Sequence, residues 1–169
     1  MSEAVSATDL AQLSRRIRQL AREAGFQRCG ISDIELREDE AHLADWLGKG
    51  LYGTMEWMAR HGAMRARPQE LLPGTVRVIS VGLDYGPKED AEAWATLHDA
   101  ERAYVARYAL GRDYHKLMRN RLQRLVEVVQ AEIGPFGHRA FTDSAPVLER
   151  ALARNAGLGW IGKHTCLID

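Results

Sequence analysis

Cysteine is nearly absent from this chain, with two residues in 169, Cys29 and Cys166. They stand far apart and neither belongs to a C-x-x-C pair, so the sequence carries no zinc or iron–sulfur signature of its own, and two reduced thiols are expected rather than a disulfide. Net charge is lacking as well. Lysine plus arginine and aspartate plus glutamate number 23 each, so the average charge points to no polyanionic partner and only its local distribution can. No stretch approaches the roughly 20 apolar residues of a membrane-spanning helix, and Met1-Ser2-Glu3-Ala4 does not open a charged-then-apolar export signal. The expected location is the cytoplasm, with no membrane partner. Internal repeats, low-complexity tracts and an interdomain linker are missing too, which leaves one domain over residues 1–169. With 46% hydrophobic and 27% charged residues, that domain has the side chains for a substantial core.

What is present begins with helical periodicity. From Thr8 to Ala24, Leu10, Leu13, Ile17 and Leu20 recur on one face, with arginines on the others, and Gly25 ends the run. Phe26 to Ile31 reads as a strand and Ser32-Asp33 as a turn. A second helix is predicted over Glu40–Lys49 with Leu43, Trp46 and Leu47 inward. Leu51 to Met64 gathers Tyr52, Met55, Trp57 and Met58, either as a small satellite core or as one wall of a pocket for a flat ligand. Arg77 to Tyr85 is the best strand, expected mid-sheet between Pro73-Gly74 and Gly86-Pro87. Lys88 to Asp99 is a charged surface excursion with a helical turn at Ala91–Leu97, and Tyr104–Tyr108 reads as a further strand. His115 to Ile133 is a strong helix with Met118, Leu122, Leu125, Val129 and Ile133 on one face and Lys116, Arg119, Arg121 and Arg124 opposite. Such a basic face is by default solvated, with a nucleic-acid backbone contact as the alternative.

The chemistry concentrates between Arg139 and Ile168. Ala140-Phe141 leads as a short strand into Asp143-Ser144-Ala145-Pro146, a helix over Val147–Ala156, and Gly157 beyond its end. Asp143 and Ser144 suit an N-cap and Pro146 the first helical position. Gly157, Gly159 and Gly162 satisfy G-x-G-x-x-G, and Gly157 to Lys163 the front of a Walker A pattern. Both mechanisms need a strand, then the glycine loop, then a helix N-terminus facing phosphate. Here the order is helix, glycines, strand, so dinucleotide and nucleoside-triphosphate binding are rejected. The glycines can still let backbone approach a bulky ligand.

Three runs carry a resemblance: F-T-D-S-A-P-V-L-E-R from Phe141, A-G-L-G-W-I-G-K-H-T from Ala156, and Y-A-L-G-R-D-Y-H-K from Tyr108, with R-A-R-P-x-E-L-L-P-G from Arg65 in support. Together they resemble the epoxyqueuosine reductases, cobalamin-dependent enzymes of tRNA modification. The resemblance covers nearly the whole chain. It implies an α+β fold, a mixed β-sheet flanked by helices in a nitroreductase-like cobalamin-binding domain, followed in the family by a ferredoxin-like domain with two 4Fe-4S clusters. The implied activity is reduction of epoxyqueuosine to queuosine in a tRNA anticodon loop by a monomer drawing on an external electron donor. No cluster ligands lie in this chain, so it is expected to be the cobalamin part of a longer reductase, inactive alone.

Carried over residue by residue, the resemblance makes Asp143 the proton donor to the oxygen leaving the epoxide, the task of a partly desolvated carboxylic acid. Arg67, Tyr108, Asp113, Tyr114, His115, Asp143, Lys163, His164 and Leu167 are implied cobalamin contacts, and Arg150 a substrate contact. Each has a plainer role: Asp143 a helix cap, Glu149 and Arg150 a local ion pair worth little, Lys163 and His164 turn residues, and Tyr108 to His115 packing at a sheet end. No metal ligand is assigned, because Asp113-Tyr114-His115 begins a D-x-H-x-x-G cobalamin signature whose glycine is missing. The alternatives are a cobalamin carrier without redox chemistry, a plain tRNA-binding domain and, without a motif in favour, a flavin enzyme.

Overall fold

The structure is a computed structural model that describes residues 7–85 and 91–169. Helix α1 (Ala7–Glu23) turns Ile17, Leu20 and Ala21 inward and ends where Gly25 adopts φ +89. The chain then enters β1 (Arg28–Ser32), which pairs antiparallel with β2 (Val78–Gly82) in the register Arg28↔Gly82 to Ser32↔Val78. Between them lie α2 (Arg37–Gly48), α3 (Glu56–His61), a 3-10 turn at Gly62–Ala66 and the short α4 (Pro68–Leu71). Helix α5 (Ala91–His98) precedes α6 (Tyr114–Ile133), the longest element, which Gly134 closes. Helix α7 (Glu149–Asn155) and a minimal hairpin of β3 (Trp160–Ile161) and β4 (Leu167–Ile168) follow.

Two buried clusters hold these elements. In the first, Ile17, Leu20 and Ala21 of α1 meet Phe26, and Leu125 and Val129 of α6. Phe26 is 1% exposed, the anchor of the packing. The second joins Leu36, Ala66, Val147, Ala151 and Leu152, placing α7 against the β1–β2 ladder. Gly30 makes that approach possible, because a Cβ there would stand 2.5 Å from the Ala156 carbonyl oxygen. An Arg154–Asp39 bidentate pair at 3.1 and 2.8 Å ties α7 to α2.

The α+β class and the long helices agree with the sequence; several details differ. The strands form two separate antiparallel pairs instead of one mixed sheet, and β2 has β1 as its neighbour among the described residues. Tyr104–Tyr108 is not a strand: Tyr104 and Val105 are about half exposed, no ladder takes them up, and a 3-10 turn forms at Arg107–Ala109. Ala140-Phe141 likewise lies outside any ladder. The Gly86-Pro87 boundary and the Lys88–Asp90 start of the charged excursion lie outside the described residues. Leu51–Met64 builds no satellite core, since Leu51, Met55 and Trp57 are exposed; Arg65 instead packs over Trp57 and donates to the Trp57 and Met58 carbonyls.

The start of α7 departs most from expectation. Leu148 stands just before the helix and donates its N–H to the Arg65 carbonyl at 2.9 Å; the helix begins at Glu149 and no side chain caps it. Asp143, Ser144 and Pro146 are therefore not its cap, and Asp143 is free for other partners.

Candidate functional site

A cleft of about 1470 Å³ opens between β2, α6 and the segment running into Asp143. That exceeds the roughly 300–1,000 Å³ of an ordinary small-ligand pocket. Its wall is largely apolar, with Ile17, Val81, Leu122 and Val129 contributing, and its polar lining includes Tyr108, Tyr114, Asp143 and Glu149 at one end, besides Arg77, Ser80, His138 and Arg139. Thr142 lines the same cleft with a buried hydroxyl that has no partner among the described residues.

The N-terminus of α6 builds one side of that polar end. Asp113 caps the helix by accepting from the His115 N–H at 2.9 Å, which presents Tyr114 and His115 side by side with rings stacked at 4.1 Å. Tyr114 donates its hydroxyl to Asp143 Oδ2 at 2.5 Å, and His115 Nε2 lies 3.3 Å from the same oxygen. His115 Nδ1 meets Asp113 Oδ1 at 2.7 Å, so one imidazole stands between two carboxylates. As imidazolium it donates to both; neutral, it donates to one. Tyr108 packs edge-on against Tyr114 at 6.2 Å and against Tyr85 at 6.4 Å, carrying the aromatic surface along the cleft.

Asp143 itself adopts φ +57, a conformation uncommon outside glycine and tolerated best by Asp and Asn. Its main-chain N–H donates to Glu149 Oε1 at 3.2 Å. Electrostatics follow from these contacts. The hydrogen bond to Asp143, then burial, push the Tyr114 hydroxyl up to about 12, so it stays a proton-bearing donor. The hydrogen bond from His115 holds Asp113 below the usual carboxylate range. Burial, reinforced by the charge of Asp143, raises Glu149 to about 7.

The other sequence-predicted residues fall in two further places. Arg150 donates to the Thr165 carbonyl and hydroxyl at 2.5 and 2.8 Å, pinning the β3–β4 turn in which Thr165 has φ +67. Lys163 is exposed in that turn, His164 accepts from the Cys166 N–H at 3.1 Å, and Leu167 sits half-buried in β4. The glycines here serve the hairpin: a Cβ at Gly159 would stand 2.1 Å from the Ile168 oxygen. Arg67 lies apart from the cleft, held by Glu40 at 2.6 Å and Glu70 at 2.9 Å. On the basic face of α6, Arg121 donates to the Gly25 carbonyl at 3.0 Å, while Lys116, Arg119 and Arg124 face solvent.

Glu149 is the residue that sequence reasoning undervalued. Its expected ion pair with Arg150 gives way to the Asp143 main chain, while Arg150 reaches the β3–β4 turn. The one available signal was a glutamate at the start of the helix after T-D-S-A-P. Thr142 gave no signal beyond its place beside Asp143.

Comparison with known proteins follows the same lines. The family profile "Epoxyqueuosine reductase QueG, DUF1730" matches residues 65–144. An epoxyqueuosine reductase from Xanthomonas campestris is 75% identical over 169 residues, covering 100% of this chain and 48% of that protein. One from Pseudomonas aeruginosa is 57% identical, covering 100% of this chain and 46% of that protein. The chain thus spans about half the length of these curated relatives. Among solved structures, epoxyqueuosine reductase from Streptococcus thermophilus superposes with a TM-score of 0.71 at 21% identity, over 92% of this chain and 41% of that one. An epoxyqueuosine reductase bound to an epoxyqueuosine-modified tRNA-Tyr stem loop gives 0.71 at 21%, over 94% and 41%. The Bacillus subtilis enzyme, solved with the catalytic loop of an aspartate swung out of its active site, also gives 0.71 at 21%, over 95% and 42%.

Proposed function

The chain belongs to the epoxyqueuosine reductase family, and from that premise we propose that it is the cobalamin-binding, proton-donating part of an enzyme that reduces epoxyqueuosine to queuosine in tRNA. The observation that carries the reading is the convergence of Asp143, Tyr114 and His115 at the polar end of a cleft large enough for a flat macrocycle. The fit rests on the chain's own surfaces: an extended apolar wall for a ring face, polar side chains gathered at one end, and the unpartnered Thr142 hydroxyl for a peripheral amide. Bound there, cobalamin supplies an electron-rich cobalt centre for reducing the epoxide.

Deoxygenating an epoxide to an alkene takes up two electrons and two protons and releases the oxygen as water. Asp143 delivers one of those protons to the departing oxygen, and Tyr114 and His115 orient the carboxyl that gives it. A positioned general acid contributes about 10²–10⁴-fold. Tyr108, Asp113, Tyr114 and His115 form one flank of the cofactor site. Lys163, His164 and Leu167 sit on the β3–β4 hairpin outside the lining of that cleft and are separate candidate cofactor contacts, with Arg150 fixing the Thr165 turn beside them as the candidate substrate contact. Arg67 does not enter the proposal, because Glu40 and Glu70 occupy its guanidinium.

The relative solved with a modified tRNA stem loop supports tRNA as the partner here. Lys116, Arg119 and Arg124 offer an exposed basic face for its backbone, a contact that weakens steeply with salt. The electrons come from a donor outside this sequence, whose two cysteines cannot hold a 4Fe-4S cluster. The setting is the cytoplasm, and the working unit a monomer; among the described residues no helix is long and apolar enough to cross a membrane. The test is Asp143→Asn in the enzyme complete with its electron-supplying part. Cobalamin binding is expected to persist while turnover falls at least about a hundredfold; unchanged turnover would remove Asp143 from the mechanism and favour a cobalamin carrier.

A further inference from the structure

Asp143 is held from two directions. Its carboxylate Oδ2 meets Tyr114 and His115 at the start of α6, and its main-chain N–H meets Glu149 Oε1 at the start of α7. The two kinds of contact do different work. Those on the carboxylate orient the side chain, whereas the bond to the N–H fixes the backbone that carries it. That backbone is in the left-handed region at φ +57, a conformation that persists where surrounding structure over-determines it. Glu149 is well placed to do so, since Ala151 and Leu152 bury its helix in the second core while its carboxyl lines the cleft.

Resting on the functional reading above, we infer that Glu149 is a positioning residue for Asp143, latching the left-handed turn so that the proton-donating carboxyl faces the cleft. It acts through Asp143 and not on the substrate. The latch also has a signature that a purely structural side chain lacks. Burial does most to favour the protonated form of Glu149 and the charge of Asp143 adds to it, while the bond from the Asp143 N–H and the charge of Arg150 favour the ionised form; together they bring its titration to about 7. A change in the pH–rate profile near that value belongs to Glu149 and leaves with it.

Amide hydrogen exchange read by NMR on the chain as it stands, joined to turnover of the enzyme carrying its electron-supplying part, tests the latch. The Asp143 amide is expected to exchange at least about tenfold slower than an unstructured peptide. E149A restores fast exchange and lowers kcat about tenfold. E149Q keeps an acceptor oxygen, so it retains protection and turnover within about threefold while losing the feature near pH 7. An unprotected Asp143 amide in the wild-type chain, which needs no variant to fold, overturns the inference. So does unchanged kcat in E149A of an enzyme that D143N inactivates, a result that leaves the functional reading standing. If D143N is itself harmless, the reading falls and the latch falls with it.

Discussion

The α1–α6 core and the Asp143 turn are built on opposite plans. The core is apolar and redundant: Ile17, Leu20, Ala21, Phe26, Leu125 and Val129 are each at most 7% exposed and touch one another across two helices and the turn that leads from α1 into β1. The Asp143 turn is polar and half exposed, holds a non-glycine residue at φ +57, and depends on single hydrogen bonds from Tyr114 and to Glu149. The core sets where α6 and α7 stand, and the turn hangs between their first residues. A fold of this kind can carry local strain and raised proton affinities at one spot because stability is supplied elsewhere.

The comparison breaks most sharply at Phe26. Phe26→Ala removes the one large fully buried side chain among the described residues and is expected to cost roughly 3–5 kcal/mol of stability, read as a large drop in urea midpoint. A loss under about 1 kcal/mol would mean that the first core is not the anchor. Next comes Glu149. Its folded-state proton affinity is raised from 4.5 to about 7, so the folded chain binds that proton more tightly and stability falls as pH rises from the unfolded value through about 7. The full effect is about 3 kcal/mol, less what partial exposure screens. Glu149→Gln removes that loss, making the variant more stable than wild type at pH 8 and no more stable at pH 4; parallel melts would contradict this.

Tyr114→Phe touches the turn alone. Losing the hydrogen bond that orients the Asp143 carboxyl is expected to reduce kcat roughly tenfold with little change in melting temperature. A matching loss of stability would make Tyr114 part of the scaffold. The smallest effect is expected at Arg67→Ala, whose exposed pairs with Glu40 and Glu70 are surface contacts. Cobalamin titrations of this variant should overlay wild type, and a weakened titration would return Arg67 to the cofactor site.

Sequence legibility divides along the same line. α1 and α6 were readable because Leu13, Ile17 and Leu20, and Leu122, Leu125 and Val129, repeat at the helical period, and burial alone decides such patterns. The β-rich run around Val78–Gly82 was readable by composition, but its pairing with residues 28–32 gives two strands where a larger sheet was expected. Asp143 stood out through the T-D-S-A-P match. Its partners did not, because Tyr114 lies 29 residues away in sequence and nothing local marks the contact. The cap assignment failed for a related reason: Leu148 takes the N-cap position, tied by its N–H to the Arg65 carbonyl far away in sequence. Arg150 and Glu149, adjacent and opposite in charge, looked like a pair and were separated by the bonds to Thr165 and Asp143.

The central claim is that this cleft takes a corrin with Asp143 at its edge. A visible-absorption titration of the purified chain with hydroxocobalamin and cob(II)alamin, followed by gel filtration, tests it most directly. The account predicts a corrin spectrum that saturates and co-elutes with the protein, in wild type and Asp143→Asn alike. Free cobalamin eluting apart from an uncoloured protein would contradict it.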